Sequence, residues 1–310
     1  MPSKRSTASR QTTLKRAVAL SGRGVHTDAP ARLVISPAEA GTGVVFLLGE
    51  AERPVAALWR NVCATQLRTK ISCYGVAVST IEHLMAALYG LGVDNVLIDL
   101  DGPEVPAMDG SANAFVAAIE DAGVMRLPAP RRVLKVLEPV RVSDGAAWAE
   151  LAPTRRFGLD LDVEIAFAGA LGRQRLVLAL TPEAFARELA PARSFGFVRD
   201  AERLWREGLA LGANLDNCVV LDGDRVLNPR GLRFFDEYAR HKMLDVIGDL
   251  ALVGAPIQGA FRSYRGGHKL NLALVEKLMT TASAHKISVR SNAGAARAPC
   301  RPALGKRSAP

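Results

Sequence analysis

The chain has 310 residues, 49% of them hydrophobic, enough to bury a sizeable core and to form about two domains. No apolar run approaches the roughly 18 residues that a membrane-crossing helix needs, so no transmembrane segment is expected. The net charge is +9, but Lys4, Arg5 and Arg10 supply three of those charges and Arg297, Arg301, Lys306 and Arg307 four, which leaves +2 on the body and, with aromatics at only 5%, excludes a basic nucleic-acid platform.

Both ends are rich in Ser, Ala or Pro and read as disordered basic tails, residues 1–12 and 289–310. The first 24 residues contain no acid, yet "AVAL" (17–20) is too short for the apolar core of a secretory signal. Cys63, Cys73, Cys218 and Cys300 form no CxxC pair, which fits a reducing compartment and a cytoplasmic protein.

From residue 13 the pattern mixes strands with two helices. "RLVISP" (32–37), "GVVFLL" (43–48) and "NVLIDL" (95–100) are β-branched runs bounded by turn residues. "SGRGVHT" (21–27) lacks the third glycine of a dinucleotide fingerprint and reads as a turn between strands. "STIEHLMAALYGLG" (79–92) predicts a helix with Ser79 as cap and Glu82 completing a capping box. "MDGSANAFVAAIEDAG" (108–123) predicts a second, started by Asp109 or Ser111. "LPAPRR" (127–132) reads as the linker between an N-terminal unit, 13–127, and a C-terminal unit, 131–288. There, "RVLKVLEPVRV", "AWAEL", "FGLDLDVEI" and "RLVLAL" predict strands, and "TPEAFARELA" (181–190) a helix capped by Thr181 with Pro182 at its first position. Residues 236–254 predict a helix closed by Gly254, "IQGAFRSYR" (257–265) a strand, and 266–283 a segment whose end is helical. The fold class is therefore α+β.

Within 238–250, His241, Asp245 and Asp249 recur at four-residue steps, so they share one helix face. Taken alone, His241 and Asp245 would more readily form a surface pair. Glu82 alone is a helix-cap residue, and His83 alone a core histidine. Together, one histidine plus a His/Asp pair supply three N/O donors, the open pattern of catalytic zinc, with Glu82 next to a ligand where a general base belongs. HExxH is absent. In "RGGHKLN", His268 follows two glycines, and Asp249 could hold its tautomer and favour its charge.

Six blocks in order, "TLKRAVALSGRGVHT", "STIEHLMAALYGLGVDN", "PEVPAMDGSANAF", "ARSFGFVRD", "VLNPRGLRFFDEYARHKMLDVIGDL" and "GGHKLN", resemble the UDP-3-O-acyl-N-acetylglucosamine deacetylase family, the zinc amidases of lipid A synthesis in Gram-negative bacteria. The resemblance runs from about residue 13 to about 285. It implies two domains, each a β-sheet layered with two main helices, with the active site between them. It implies one Zn2+ per chain held by His83, His241 and Asp245, with Glu82 as base, His268 as catalytic histidine and Asp249 as its partner. By the same resemblance Lys242 lies near the reacting carbonyl and the substrate diphosphate, Ser194 donates to the oxyanion, and Phe195 lies against the glucosamine ring. Phe157 and Arg265 are further substrate contacts. The insert near 198–220, including Ala210 and Val220, forms a hydrophobic passage for the acyl chain.

The chain departs from the family pattern where Ser194 replaces a common Thr, Arg265 a Lys, and Ala147 a Lys that can assist nucleotide binding. The resemblance implies a monomer acting on UDP-3-O-acyl-N-acetylglucosamine, without nucleic acid, and with transient inner-membrane contact. Other readings are a zinc amidase for another acylated amino sugar, or a non-enzymatic metal-binding module.

Overall fold

A computed structural model describes residues 9–49, 53–167 and 171–289. In the first half the strands are β1 (Arg10–Leu14), β2 (Val18–Arg23), β3 (Pro30–Pro37), β4 (Val44–Leu48), β5 (Arg53–Ala56), β6 (Val62–Ala64), β7 (Lys70–Cys73) and β8 (Val76–Val78). Helix α1 (Glu82–Gly90), β9 (Val96–Leu100), α2 (Asn113–Ala122) and β10 (Val124–Pro130) complete it. Five strands form a sheet in the order β2-β3-β9-β4-β5, and β6-β7-β8 a small antiparallel one. Strand β3 alternates buried and more open positions, with Ala31, Leu33 and Ile35 inward, so its two-residue period directs one face into the core.

The second half opens with β11 (Arg132–Val136), β12 (Val140–Asp144), β13 (Ala147–Ala152), β14 (Leu159–Ala166) and β15 (Arg173–Ala179). A short helix α3 (Pro182–Ala184), β16 (Phe195–Phe197), α4 (Ala201–Arg206), β17 (Val219–Asp222) and β18 (Arg225–Val226) follow. Then come α5 (Glu237–Leu250), β19 (Ile257–Tyr264), α6 (His268–Thr280) and β20 (His285–Val289). Strand β19 is the hub of a seven-stranded sheet, antiparallel to β13 and parallel to β14 and β11. On β14, Leu159, Leu161, Val163 and Ile165 are buried, while the intervening Asp162 takes a two-pronged hydrogen bond from Arg175 on β15.

The two layers meet where α1 packs on α5. Gly248 makes this possible. A Cβ there would lie 2.1 Å from the Glu82 carbonyl oxygen, so only glycine lets the two backbones come this close.

Several expectations change. "LPAPRR" is not a loop: β10 runs to Pro130 and pairs antiparallel with β1, with Thr12 opposite Arg126, and β11 begins at Arg132. Two-stranded ribbons tolerate proline on their free edge, and each proline keeps the residue before it extended. Residues 10–12, assigned to the tail, belong to β1, and Thr12 is tied to Asp94. Val289 ends β20, and residues 1–8 and 290–310 of the expected tails lie outside the described residues. Ser79 does not cap α1, because Thr80 adopts a left-handed φ of 59° and turns the chain before the helix starts. Thr181 does cap α3, accepting from the Ala184 amide at 3.1 Å, and Gly254 closes the turn after α5 at φ 77°.

Candidate active site

Helix α5 is buried along most of its length, including His241, Asp245 and Asp249. One turn separates each from the next, so a single helix face carries all three. The close pass at Gly248 sets the start of α1, with Glu82 and His83, against that face. One donor atom from each of His83, His241 and Asp245 lies within 4.8 Å of the other two. Each imidazole Nε2 is 3.5 Å from Asp245 Oδ1, and the rings stand edge to face at 5.0 Å between centroids.

Asp245 Oδ1 is buried and has no hydrogen-bond partner, although Oδ2 accepts from Lys242 Nζ at 2.7 Å. A sealed carboxylate oxygen without a donor costs free energy unless something cationic faces it. His241 Nδ1 lies 3.2 Å from the Ala192 carbonyl, so it donates there and leaves Nε2 as the acceptor. Burial pushes His241 down to about 4, which keeps the ring neutral. Burial favours the neutral acid of Asp245, but the charges of Lys242 and His268 outweigh it and hold the carboxyl well below its usual range. An anionic oxygen and two imidazole nitrogens are the donor set that a divalent cation such as zinc takes, and the orphaned Oδ1 fits that occupant.

Glu82 is buried, and its Oε2 accepts the Thr69 amide at 3.0 Å. Burial raises its pKa, with His268 and His83 pulling the other way. On the far side of Asp245, His268 Nδ1 donates to Asp249 Oδ2 at 2.8 Å, and its Nε2 is 3.8 Å from Asp245 Oδ2. Asp249 is held by two further donors, Asn271 Nδ2 at 2.8 Å and Thr69 Oγ1 at 2.6 Å. Burial opposes charge on His268, but Asp249 and Asp245 prevail and its pKa is pushed up to about 9. His268 is the first residue of α6, which fixes its backbone.

The structure thus gathers Glu82, His83, His241, Lys242, Asp245, Asp249 and His268 into one cluster. Phe195 joins it: its ring lies 6.1 Å from that of His241 and 5.8 Å from Lys242 Nζ. Ser194 precedes Phe195, its backbone bonded to Gly110 and Val219, and its hydroxyl makes no hydrogen bond among the described residues. Arg265 is exposed at φ 53° in the turn before α6, three residues ahead of His268. Phe157 is 63% exposed in the turn before β14. Ala210 lies in the 198–220 segment, where its amide donates to His26 Nδ1 at 3.2 Å, and Val220 lies on β17. Neither residue contacts the cluster through a hydrogen bond. Thr69 and Asn271 went unnoticed in the sequence, and only the position of Asn271, three after His268, hinted at a role.

A buried donor triad with a carboxylate on one side and a charged imidazole on the other suits the splitting of a polar bond by water, and the protein falls among the hydrolases. Sequence comparison narrows that class. The family model for UDP-3-O-acyl N-acetylglycosamine deacetylase matches residues 11–280. The UDP-3-O-acyl-N-acetylglucosamine deacetylases of Brucella ovis and Brucella canis are each 44% identical over 282 residues, 89% of this chain and 98% of the relative. That of Brucella melitensis biotype 2 gives the same figures. The chain belongs to the UDP-3-O-acyl N-acetylglycosamine deacetylase family.

Proposed function

We propose that the protein hydrolyses the acetamide of UDP-3-O-acyl-N-acetylglucosamine, releasing acetate and the free amine, as an early step of lipid A synthesis. The observation that carries this reading is the sealed, unpartnered Asp245 Oδ1 between two imidazoles, one of them on α1 beside Glu82. His83, His241 and Asp245 would hold one Zn2+, which when bound supplies Lewis acidity toward water and the amide carbonyl.

Glu82, its pKa raised by burial, takes a proton from the attacking water. Its hydrogen bond from the Thr69 amide aims it and leaves Oε1 for that task. Lys242 and the unengaged Ser194 hydroxyl face the charge that develops on the carbonyl oxygen. His268, kept cationic by Asp249, donates its Nε2 proton to the departing amine nitrogen. Phe195 offers its ring to the sugar, and Arg265 and Phe157 contact the nucleotide diphosphate side. The 198–220 segment, with Trp205, Leu211 and Leu215 exposed, receives the acyl chain past Ala210 and Val220. The same apolar rim suits brief contact with the inner-membrane surface, while no helix among the described residues is long and apolar enough to cross a membrane. The reading takes residues 13–127 and 131–288 as two domains of a cytoplasmic monomer.

The reading is tested with UDP-3-O-acyl-N-acetylglucosamine before and after chelation. Acetate release should stop on metal removal and return with zinc. Release that survives full demetallation would overturn it, as would a substrate lacking UDP and the acyl chain turning over equally well.

The pH profile supplies a second check. His268 must be protonated to act as acid, so activity is present below its raised pKa and is lost as pH climbs through about 9. Asp249→Asn removes the charge that raises it, so the basic limb should move to lower pH. An unmoved limb would break the pairing of these two residues.

A further inference from the structure

The cations of the cluster are spoken for: Lys242 by Asp245, and His268 by Asp249. Arg68 is different. Its Nε and Nη1 are buried and have no hydrogen-bond partner, and no ion pair to it occurs among the described residues. A guanidinium cannot shed its charge to escape this, and burying an unpaired one is costly. Such a group persists where a ligand supplies the missing acceptor.

Its position says which ligand. Arg68 immediately precedes Thr69, whose amide holds Glu82 and whose hydroxyl holds Asp249. The residue before it, Leu67, is strained at φ 56°. Burial lowers the pKa of the His26 imidazole, and the charges of Arg68 and His268 act in the same direction. His26 in turn accepts the Ala210 amide of the 198–220 segment.

The substrate acetamide is neutral. Hydrolysis breaks its C–N bond, forms a C–O bond to water and turns the acetyl group into a carboxylate, while the amine leaves with the proton. That new anion arises beside three carboxylates, Glu82, Asp245 and Asp249, whose neighbouring cations Lys242 and His268 already carry ion pairs. We propose that Arg68 is the receiving site for the acetate product, its planar fork accepting the carboxylate as it leaves the reacting centre. This rests on the deacetylase reading and adds a subsite to it.

The test uses the full-length zinc-loaded protein and sodium acetate as inhibitor, with ionic strength balanced by chloride. Losing a charge-assisted pair should raise the acetate inhibition constant of Arg68→Gln by roughly tenfold or more. Its kcat and KM should stay within about threefold of wild type. Arg68→Lys should be intermediate, keeping charge without the fork. The melting temperature of Arg68→Gln should hold, because the half-buried guanidinium has no hydrogen bond or ion pair among the described residues to lose. An unchanged acetate constant would overturn the assignment. So would a fall in kcat of about 100-fold with acetate inhibition intact, which would make Arg68 a transition-state donor. Inhibition by inorganic phosphate that depends on Arg68 while inhibition by acetate does not would overturn it too. If Arg68→Gln does not fold, Arg68→Lys and Arg68→Met report the same constant. Failure of the deacetylase reading looks different, since the wild type would then release no acetate at all.

Discussion

Glu82→Gln is expected to lower kcat by roughly 10²- to 10⁴-fold, the usual worth of a general base, with zinc stoichiometry unchanged. The amide can still accept from the Thr69 backbone N–H, so the local fold survives. The ligand triad does not include Glu82, so the donors stay in place. What disappears is basicity, and the proposed base role rests on a position that is buried, has a raised pKa and adjoins His83 in sequence. Steady-state rates together with elemental analysis decide the matter. Wild-type turnover would remove Glu82 from the mechanism, and loss of metal would recast it as part of the ligand shell.

His83→Ala should release the metal and with it the activity. Only two donors would remain, both on α5 and one turn apart, and two protein ligands fall short of the three that open zinc sites use. The imidazole is buried on α1, so some loss of packing accompanies the change, and circular dichroism at matched temperature separates unfolding from simple demetallation. Zinc that remains at one per chain in a folded variant would sink the ligand assignment.

How far the sequence could be read depended on how local each signal was. The four-residue steps along α5 were visible because helix geometry alone puts His241, Asp245 and Asp249 on one face. That α1 would meet this face was not visible from spacing. It follows from Gly248, an ordinary helical glycine until the Glu82 carbonyl is seen against it. The family blocks implied that meeting, and the structure supplies its cause. Thr69 was out of reach because its role depends on a loop with left-handed residues at Leu67 and Thr80, conformations that sequence does not announce for leucine or threonine. The prolines of 127–132 misled for a related reason. Their preference for extended backbone serves a strand as well as a linker, and β1 as its partner lies more than a hundred residues away. The capping-box reading of Glu82 failed to the same loop, since its carboxylate turns to Thr69 instead of its own helix end.

The donors come from both sides of the seam where α1 meets α5. The N-terminal half contributes His83 and Glu82, and the C-terminal half contributes His241, Asp245 and His268. Neither half by itself carries all three donors of the triad. A side chain at residue 248 would collide with the Glu82 carbonyl, and the contact that brings the two halves of the triad together would be lost. The cation that the triad would grip therefore doubles as a rivet, so that anything prising the halves apart must first tear it loose.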